Sequence, residues 1–256
     1  MALVATVSTS QGAATPRWVD GREPAAPSPS PKPPPSVHID HTGFLSWALL
    51  DRATGEISGS TNLTEPSDTM SMVKAWIAAD YLRMAADEYI SEARLRQLTI
   101  MIRDSDNAAA QALFEEVGYH ESIDRLSAIC GLTDSGPYGD WWSNTTVSAR
   151  DTVRLGACIA DGRAAGPRWT DWLLDEMRQV RGVGDFGVRL ALPDPEAVAI
   201  KNGWLLREED RLWHISCLAI TEDWVLGVLL RYPGELGFEY GTALCENVGR
   251  QAVAAV

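Results

Sequence analysis

Basic residues are scarce in this chain of 256 residues. Its 22 lysines and arginines stand against 35 acidic residues, which gives a formal net charge of −13. A surface that binds nucleic acid or an anionic membrane needs clustered lysines and arginines. The charge therefore argues against a nucleic-acid partner, and the acidic excess indicates solubility. Long apolar runs are also lacking, so the sequence predicts no membrane-spanning segment.

Cysteine and histidine are equally rare, with four of each. No cysteine pair has the C-x-x-C spacing of a zinc knuckle or a thioredoxin-like motif. Each cysteine has apolar neighbours, where a free thiol behaves as a small hydrophobe, and the sequence leaves their disulfide state open. His38 and His41 are close, but i and i+3 residues of a strand point to opposite faces. We therefore expect no metal site. The cysteines are Cys130, Cys158, Cys217 and Cys245.

No cofactor motif stands in a suitable context. Residues 181–187 read RGVGDFG, which matches the glycine spacing of a dinucleotide fingerprint and contains the DFG triplet of kinases. The segment follows a predicted helix rather than a strand, and no other kinase element accompanies it. We interpret it as a flexible turn and expect no cofactor.

Proline dominates the N-terminal part, and the remainder reads as one domain. Residues 1–36 form a proline-rich, flexible segment typical of a tether. Their start lacks the basic region of a signal peptide, although a remnant of a leader would look similar. Residues 37–256 are predicted to form the folded domain.

The order of elements within 37–256 predicts a mixed α/β (α+β) fold. Apolar runs at 44–50 and 57–61 indicate a hairpin, and three runs at 197–206, 211–221 and 224–231 indicate a meander. Helical patterns fill most of the chain between them, and a last helix covers 241–256. Because this order is not a regular βα alternation, we expect one antiparallel sheet of about five strands, built from both chain ends. A helical subdomain is inserted at about 65–160.

Three polar motifs stand in a fixed order within this framework. Ser71 and Lys74 lie at i and i+3 at the head of an apolar helix, where they share a face. Such a pair can supply a nucleophile and its base, but it also occurs by chance on ordinary helices. The triplet Ser105-Asp106-Asn107 interrupts two helical stretches, with Asp106 or Asn107 as N-cap. The triplet Lys201-Asn202-Gly203 lies in the first late strand.

The set S-x-x-K, S-D-N and K-x-G resembles that of the penicillin-recognising serine enzymes, the class A β-lactamases and D,D-peptidases. The resemblance covers about 44–256 and implies their β-lactamase-like fold. It also implies catalytic roles. Ser71 would attack an amide or ester carbonyl, and Lys74, neutral in a desolvated site, would take its proton. Ser105, polarised by Lys201, would pass a proton to the leaving group, and Asn107 would hold Lys74 and the substrate amide.

The third motif implies the substrate-binding groups. The backbone N–H groups of Ser71 and Trp204 would form the oxyanion hole, with Gly203 between Trp204 and the motif's Asn202. Asn202 stands where the family prefers threonine or serine. Its amide can still donate to a substrate carboxylate, but it is bulkier and lacks the hydroxyl, so we expect substrate preference to depart from the usual pattern. Lys201 and Arg211 would meet a substrate carboxylate. For Arg211 the alternative is a turn charge beside two acidic residues.

A second departure concerns the step that releases product. Class A β-lactamases carry a glutamate in a loop after S-D-N, and residues 138–144 contain none. Asp140 is the one carboxylate in this stretch. Its role is either that of a shorter substitute for the glutamate base or that of a solvated loop residue. Trp141 and Trp142 either wall the pocket or pack under the loop.

These features predict a monomeric serine hydrolase that acts through an acyl-Ser71 intermediate on a small-molecule or peptide substrate. β-Lactams and D-Ala-D-Ala-type peptides are the candidates, and deacylation is expected to be slow. The alternatives are a β-lactam or peptidoglycan-fragment binding protein without turnover, and an acyl-transfer enzyme of secondary metabolism. Cell-wall substrates would place the protein outside the cytoplasm.

Overall fold

Five antiparallel strands form the main sheet of this computed structural model, which describes Ala2 and residues 37–254. The proline-rich stretch predicted over 1–36 lies, apart from Ala2, outside the described residues. The elements below all belong to the unit 33–256. In spatial order the strands are β2 (Ile57–Gly59), β1 (Phe44–Asp51), β7 (Trp224–Pro233), β6 (Leu212–Ile220) and β5 (Ala199–Leu206). Strands from both chain ends thus meet in one sheet, as predicted, and β5 is an edge strand.

Seven α-helices accompany the sheet in the described part of the chain. Asp106 caps one of them, because its carboxylate accepts a hydrogen bond from the backbone N–H of Ala109 at 2.7 Å. The mixed α/β fold class predicted from the order of elements is confirmed. The helices are α1 (Val73–Ala85), α2 (Glu92–Arg103), α3 (Asn107–Glu116), α4 (His120–Cys130), α5 (Ala149–Ala160), α6 (Thr170–Arg178) and α7 (Gly237–Val253).

Helix α1 is the buried centre of the helical part. Nine of its 13 residues are buried, as expected for a helix that is apolar on all sides. It packs against α2, α3, α4 and the edge strand β5. A helix held on every side is a rigid support for whatever stands at its N-terminus.

Two short strands are not predicted from the sequence. β3 (Pro66–Asp68) and β4 (Thr146–Ser148) pair antiparallel in a small second sheet. Strands of three residues show no readable alternation of apolar and polar residues. This small sheet matters because β3 leads directly into the turn that carries Ser71.

The four cysteines form two disulfides, which settles the question that the sequence leaves open. Cys130 and Cys158 join α4 to α5, with Cα atoms 5.5 Å apart, and Cys217 and Cys245 join β6 to α7, with Cα atoms 6.6 Å apart. Each bond spans 28 residues of sequence. Apolar surroundings alone do not distinguish a free thiol from a bonded one.

Replacing Cys130 and Cys158 together by alanine is expected to lower the free energy of unfolding by about 3–4 kcal/mol, because the unfolded chain regains the entropy of a loop of that length. Urea denaturation of the variant and the oxidised wild type measures the difference. Alkylation of the unfolded, unreduced protein provides the check, since thiol labelling at either position would contradict the pairing.

No helix among the described residues is long and apolar enough to cross a membrane.

Candidate active site

Ser71 stands in a single 3₁₀ turn, Met70–Met72, immediately before α1. Met70 has a positive φ of 46°, a conformation that costs about 1–3 kcal/mol in a non-glycine residue and is typical of functional sites. The edge strand passes very close behind the turn at Gly203. A Cβ atom on Gly203 would lie 2.4 Å from the Thr69 carbonyl oxygen and 2.6 Å from the Ser71 nitrogen, so only glycine fits there.

Lys74 is fully buried one helical turn after Ser71. Its Nζ donates hydrogen bonds to Asn107 Oδ1 at 2.7 Å, to the Ser105 carbonyl oxygen at 2.5 Å and to Ser105 Oγ at 3.1 Å. The indole ring of Trp142 lies 4.8 Å from the same nitrogen. The first two motifs predicted from the sequence are therefore in direct contact.

Burial lowers the pKa of Lys74 to about 7, against the smaller opposing effect of the Asp106 charge. An ammonium group loses its water shell in such a position, which favours the neutral amine. About half of the molecules then carry a neutral Lys74 near pH 7. A neutral amine is the form that can accept a proton.

Ser105 lies between two lysines. Its Oγ accepts hydrogen bonds from Lys74 Nζ at 3.1 Å and from Lys201 Nζ at 3.0 Å. Its backbone has a positive φ of 58°, so this serine too is held in a costly conformation. Lys201 is fully buried. Its pKa lies well below the ordinary value, mainly because of this burial and to a smaller extent because of the nearby charge of Lys74.

Two adjoining cavities open over these groups, with volumes of about 250 and 470 Å³. Both are lined by Ser71, Asn107, Trp204 and Leu205. The other residues that line the smaller cavity are Met70, Gln111, Trp141, Trp142 and Ser143, and those that line the larger are Asp104, Ser105, Leu206 and Trp213.

A family model described as the beta-lactamase enzyme family matches residues 93–254. The chain belongs to this family. The matched range contains Ser105, Asn107 and Lys201 and begins after Ser71 and Lys74.

Similar proteins are found by comparison of both sequence and structure. A Mycobacterium tuberculosis protein named as a lipoprotein, LppW, is 31% identical over 182 residues, 67% of this chain, and the Mycobacterium bovis protein of that name matches equally. The chain spans 57% of the length of these relatives.

Among solved structures, beta-lactamases from Chitinophaga pinensis and Sphaerobacter thermophilus both superpose with a TM-score of 0.67, at 14% and 15% identity. The matches cover 84% and 83% of this chain and 94% and 91% of those chains. At such identities the likeness shows the fold, which is the β-lactamase-like fold that the motifs imply.

The substrate-binding role predicted for Asn202 needs correction. Its side-chain amide donates to the carbonyl oxygens of Gly184 at 3.1 Å and Phe186 at 2.8 Å, and the residue is 1% exposed. Both amide hydrogens are used in these two bonds, so none remains for a substrate. The same bonds hold the segment interpreted as a flexible turn, which contains a 3₁₀ turn at Gly182–Gly184.

Arg211 is also outside the site. It lies in the turn between β5 and β6, is exposed and has a positive φ of 60°. It lines neither cavity, since the part of the strand pair that borders them ends at Leu206 and Trp213. Arg211 is therefore a charged turn residue, the alternative that the sequence offers, because the hairpin extends beyond the cavity before Arg211 is reached.

Three neighbouring residues of the loop 138–144 take different positions. Asp140 is exposed and lines neither cavity, whereas Trp141 and Trp142 both line the smaller one. Trp142 is buried beside Lys74, so the pocket wall and the packed position are both realised. Among the residues that the structure describes, no carboxylate of this loop lines either cavity.

Arg207 bonds both to the loop that carries Trp142 and to β3, the strand that leads into the turn of Ser71. Arg207, at the end of β5, donates to Asp68 Oδ2 at 3.0 Å and to Asn144 Oδ1 at 2.9 Å. Asp68 precedes Ser71 by three residues, and Asn144 ends the short turn Trp142–Asn144. Trp142 is a pocket-wall candidate already from the sequence, whereas nothing in the sequence predicts Gln111 and Trp213 as site residues. The last two carry no motif, and only the fold brings them here.

Proposed function

We propose that this chain is a serine hydrolase that forms an acyl-Ser71 intermediate on an amide or ester substrate. The observation that supports it most is the contact set of Lys74. A buried amine with a pKa of about 7 lies one helical turn from Ser71, tied to Ser105 and Asn107 at the cavity floor. A nucleophile beside a base that is itself oriented by further groups is the general arrangement of covalent catalysis.

The acylation step uses these residues in sequence. Ser71 Oγ attacks the carbonyl carbon while its proton passes to neutral Lys74, and the carbonyl oxygen becomes an oxyanion. The backbone N–H groups of Ser71 and Trp204 stabilise that charge. When the bond to the leaving group breaks, Ser105 Oγ supplies the proton to the leaving atom. Ser105 regains a proton from Lys74, with Lys201 holding the hydroxyl in place.

Deacylation is proposed to be slow. Asp104 is the one carboxylate among the described residues that line the two cavities. Arg181 holds it with bonds of 2.6 Å to Oδ1 and 2.8 Å to Oδ2. An ion-paired carboxylate is a weak base because the guanidinium favours its charged form, so a deacylating water lacks the loop glutamate that activates it in class A enzymes.

The protein is proposed to act outside the cytoplasm. Its matching relatives carry a name that calls them lipoproteins, and two disulfides persist most readily in an oxidising compartment. β-Lactams and D-Ala-D-Ala-type peptides, the classes that the motifs imply, belong among the first substrates to test.

Burst kinetics with p-nitrophenyl phenylacetate and with a chromogenic β-lactam test the proposal. A fast release of about one equivalent of product, followed by slow turnover, is expected when an acyl-enzyme accumulates. Ser71→Ala is expected to abolish the burst.

Ser127→Ala is the matched control, because the Ser127 hydroxyl has no hydrogen-bond partner among the described residues and lies on α4, outside both cavities. Absence of a burst with every ester and β-lactam tried, or an equal burst from Ser71→Ala, would contradict the proposal. A stoichiometric burst with no measurable turnover would instead identify a protein that captures its ligand covalently.

A further inference from the structure

The cavities above Ser71 lack a cation. Neither lysine nor arginine stands among the described residues that line them. The sequence motifs imply three groups that would bind a substrate carboxylate, namely Lys201, Asn202 and Arg211.

None of the three groups offers a donor to a substrate carboxylate. Lys201 is fully buried, and its Nζ is bonded to Ser105 Oγ at 3.0 Å and to the Asn202 carbonyl at 3.3 Å. Both hydrogens of the Asn202 amide are bonded to the backbone carbonyls of Gly184 and Phe186. Arg211 lies in the hairpin turn beyond the cavity walls.

Asp104, the one acidic residue among the described residues that line the cavities, also disfavours a substrate carboxylate. Asp104 lines the larger cavity and pairs with Arg181 through two hydrogen bonds. The carboxylate occupies the guanidinium face that a substrate carboxylate would need, so the pair presents no net positive charge. A carboxylate entering this cavity would lose water without gaining an ionic partner, which is unfavourable.

Aromatic and aliphatic surface takes the place of the missing cation. Trp141 is 62% exposed at the mouth of the smaller cavity, and Leu205 is 44% exposed on the wall that both cavities share. Trp204 is braced from behind, with ring centroids 5.8 Å from Phe186 and 6.3 Å from Phe238. Rings held in this way form a firm apolar wall, suited to an aromatic or branched aliphatic substituent.

We propose that this site takes uncharged esters or amides with an aromatic or apolar substituent and discriminates against substrates that end in a carboxylate. The inference rests on the proposed acyl-Ser71 chemistry and narrows its substrate class. It assigns recognition to Trp141, Trp204 and Leu205 in place of the ionic contacts that the motifs imply.

Two matched thioesters test the inference. Both carry a phenylacetylglycyl group, and their thiol leaving groups end in a carboxylate in one case and a carboxamide in the other. In each reaction Ser71 Oγ bonds to the carbonyl carbon, the C–S bond breaks, and the thiol leaves with a proton. The value of kcat/KM, divided by the rate constant for uncatalysed hydrolysis of the same thioester, is expected to be about tenfold higher or more for the carboxamide, because the site offers no partner for the charge of the carboxylate.

A charge placed on the shared wall provides the second arm. Leu205→Arg is expected to raise the ratio of kcat/KM for the carboxylate thioester to kcat/KM for the carboxamide about tenfold above the ratio given by Leu205→Gln. Both variants lose the same apolar side chain, and only arginine adds a positive charge. Because Leu205 is well exposed, both variants are expected to fold.

Equal or better use of the carboxylate thioester by the wild type would overturn the inference while supporting acyl transfer to Ser71. Failure of both thioesters to acylate Ser71 would instead contradict the proposed function itself. The two failures are therefore distinguishable in one experiment.

Discussion

Lys74→Met is expected to slow acylation of Ser71 by about 10²–10⁴-fold, the usual contribution of a positioned general base. Methionine retains much of the buried volume of Lys74 but cannot accept the proton of the Ser71 hydroxyl. The amine that it removes lies 2.7 Å from Asn107 Oδ1 and 3.1 Å from Ser105 Oγ. The burst phase with a p-nitrophenyl ester, followed by stopped-flow absorbance, measures the change directly.

The pH dependence separates basicity from mere packing. Since the pKa of Lys74 is about 7, the neutral fraction of this amine rises about tenfold per pH unit below that value and levels off above it. The wild-type acylation rate is expected to follow the same curve, with an inflection near pH 7. Lys74→Met is expected to lose the inflection.

A second substitution serves as the control for charge. Lys74→Arg keeps a cation at this position, yet a guanidinium stays protonated at every relevant pH, so it should be as slow as methionine. Thermal unfolding of each variant establishes that the fold is retained. Acylation by folded Lys74→Met at a rate within about threefold of the wild type would contradict the role of Lys74.

Gly203→Ala is expected to cost about 10²-fold in acylation rate, the scale of loss when reacting groups are displaced by about 1 Å. The added Cβ atom would lie 2.4 Å from the Thr69 carbonyl oxygen and 2.6 Å from the Ser71 nitrogen. Both are backbone atoms, so the nucleophile turn or the edge strand must move. Either movement separates the N–H groups of Ser71 and Trp204, which are proposed to stabilise the oxyanion together.

Gly136→Ala is the matched control. A Cβ atom on Gly136 meets nothing within 4 Å, so this variant changes the same atom count without steric conflict. Burst rates of the two variants, compared at equal folded fraction, give the result. If both variants acylate as fast as the wild type, the close approach at Gly203 does not control the geometry of the site.

The features that follow from sequence alone are those that carry a long pattern or a motif. The late strands are long apolar runs, and they form β5, β6 and β7 with boundaries shifted by a few residues. The motifs place Ser71, Lys74, Ser105 and Lys201 in one order along the chain. The fold brings Lys74 and Lys201 to the same Ser105 hydroxyl, a contact that spacing alone does not require.

The mispredicted contacts depend on where a side chain points. Asn202 lies on β5 as predicted, but the backbone carbonyls of the segment 182–187 lie within hydrogen-bond distance of its amide. Its amide therefore meets Gly184 and Phe186 rather than the cavity. Arg211 is predicted on the strand that follows Lys201, but β6 begins only at Leu212 and Arg211 lies in the turn beyond the cavity wall.

Other features carry no local signal at all. The disulfide between Cys217 and Cys245 depends on the packing of α7 against β6. The position of Trp142 beside Lys74 depends on a loop tied by Arg207 to Asp68 and Asn144. Such contacts arise between segments distant in sequence, so composition and periodicity cannot reveal them.

Mapping the acyl group by peptide mass spectrometry tests the central proposal most directly. The protein is mixed with p-nitrophenyl phenylacetate, quenched in acid during the burst, digested and fragmented. The expected result is one phenylacetyl group per chain, located on Ser71 and absent from Ser71→Ala. An acyl group on any other residue, or an unmodified chain after a complete burst, would contradict the account.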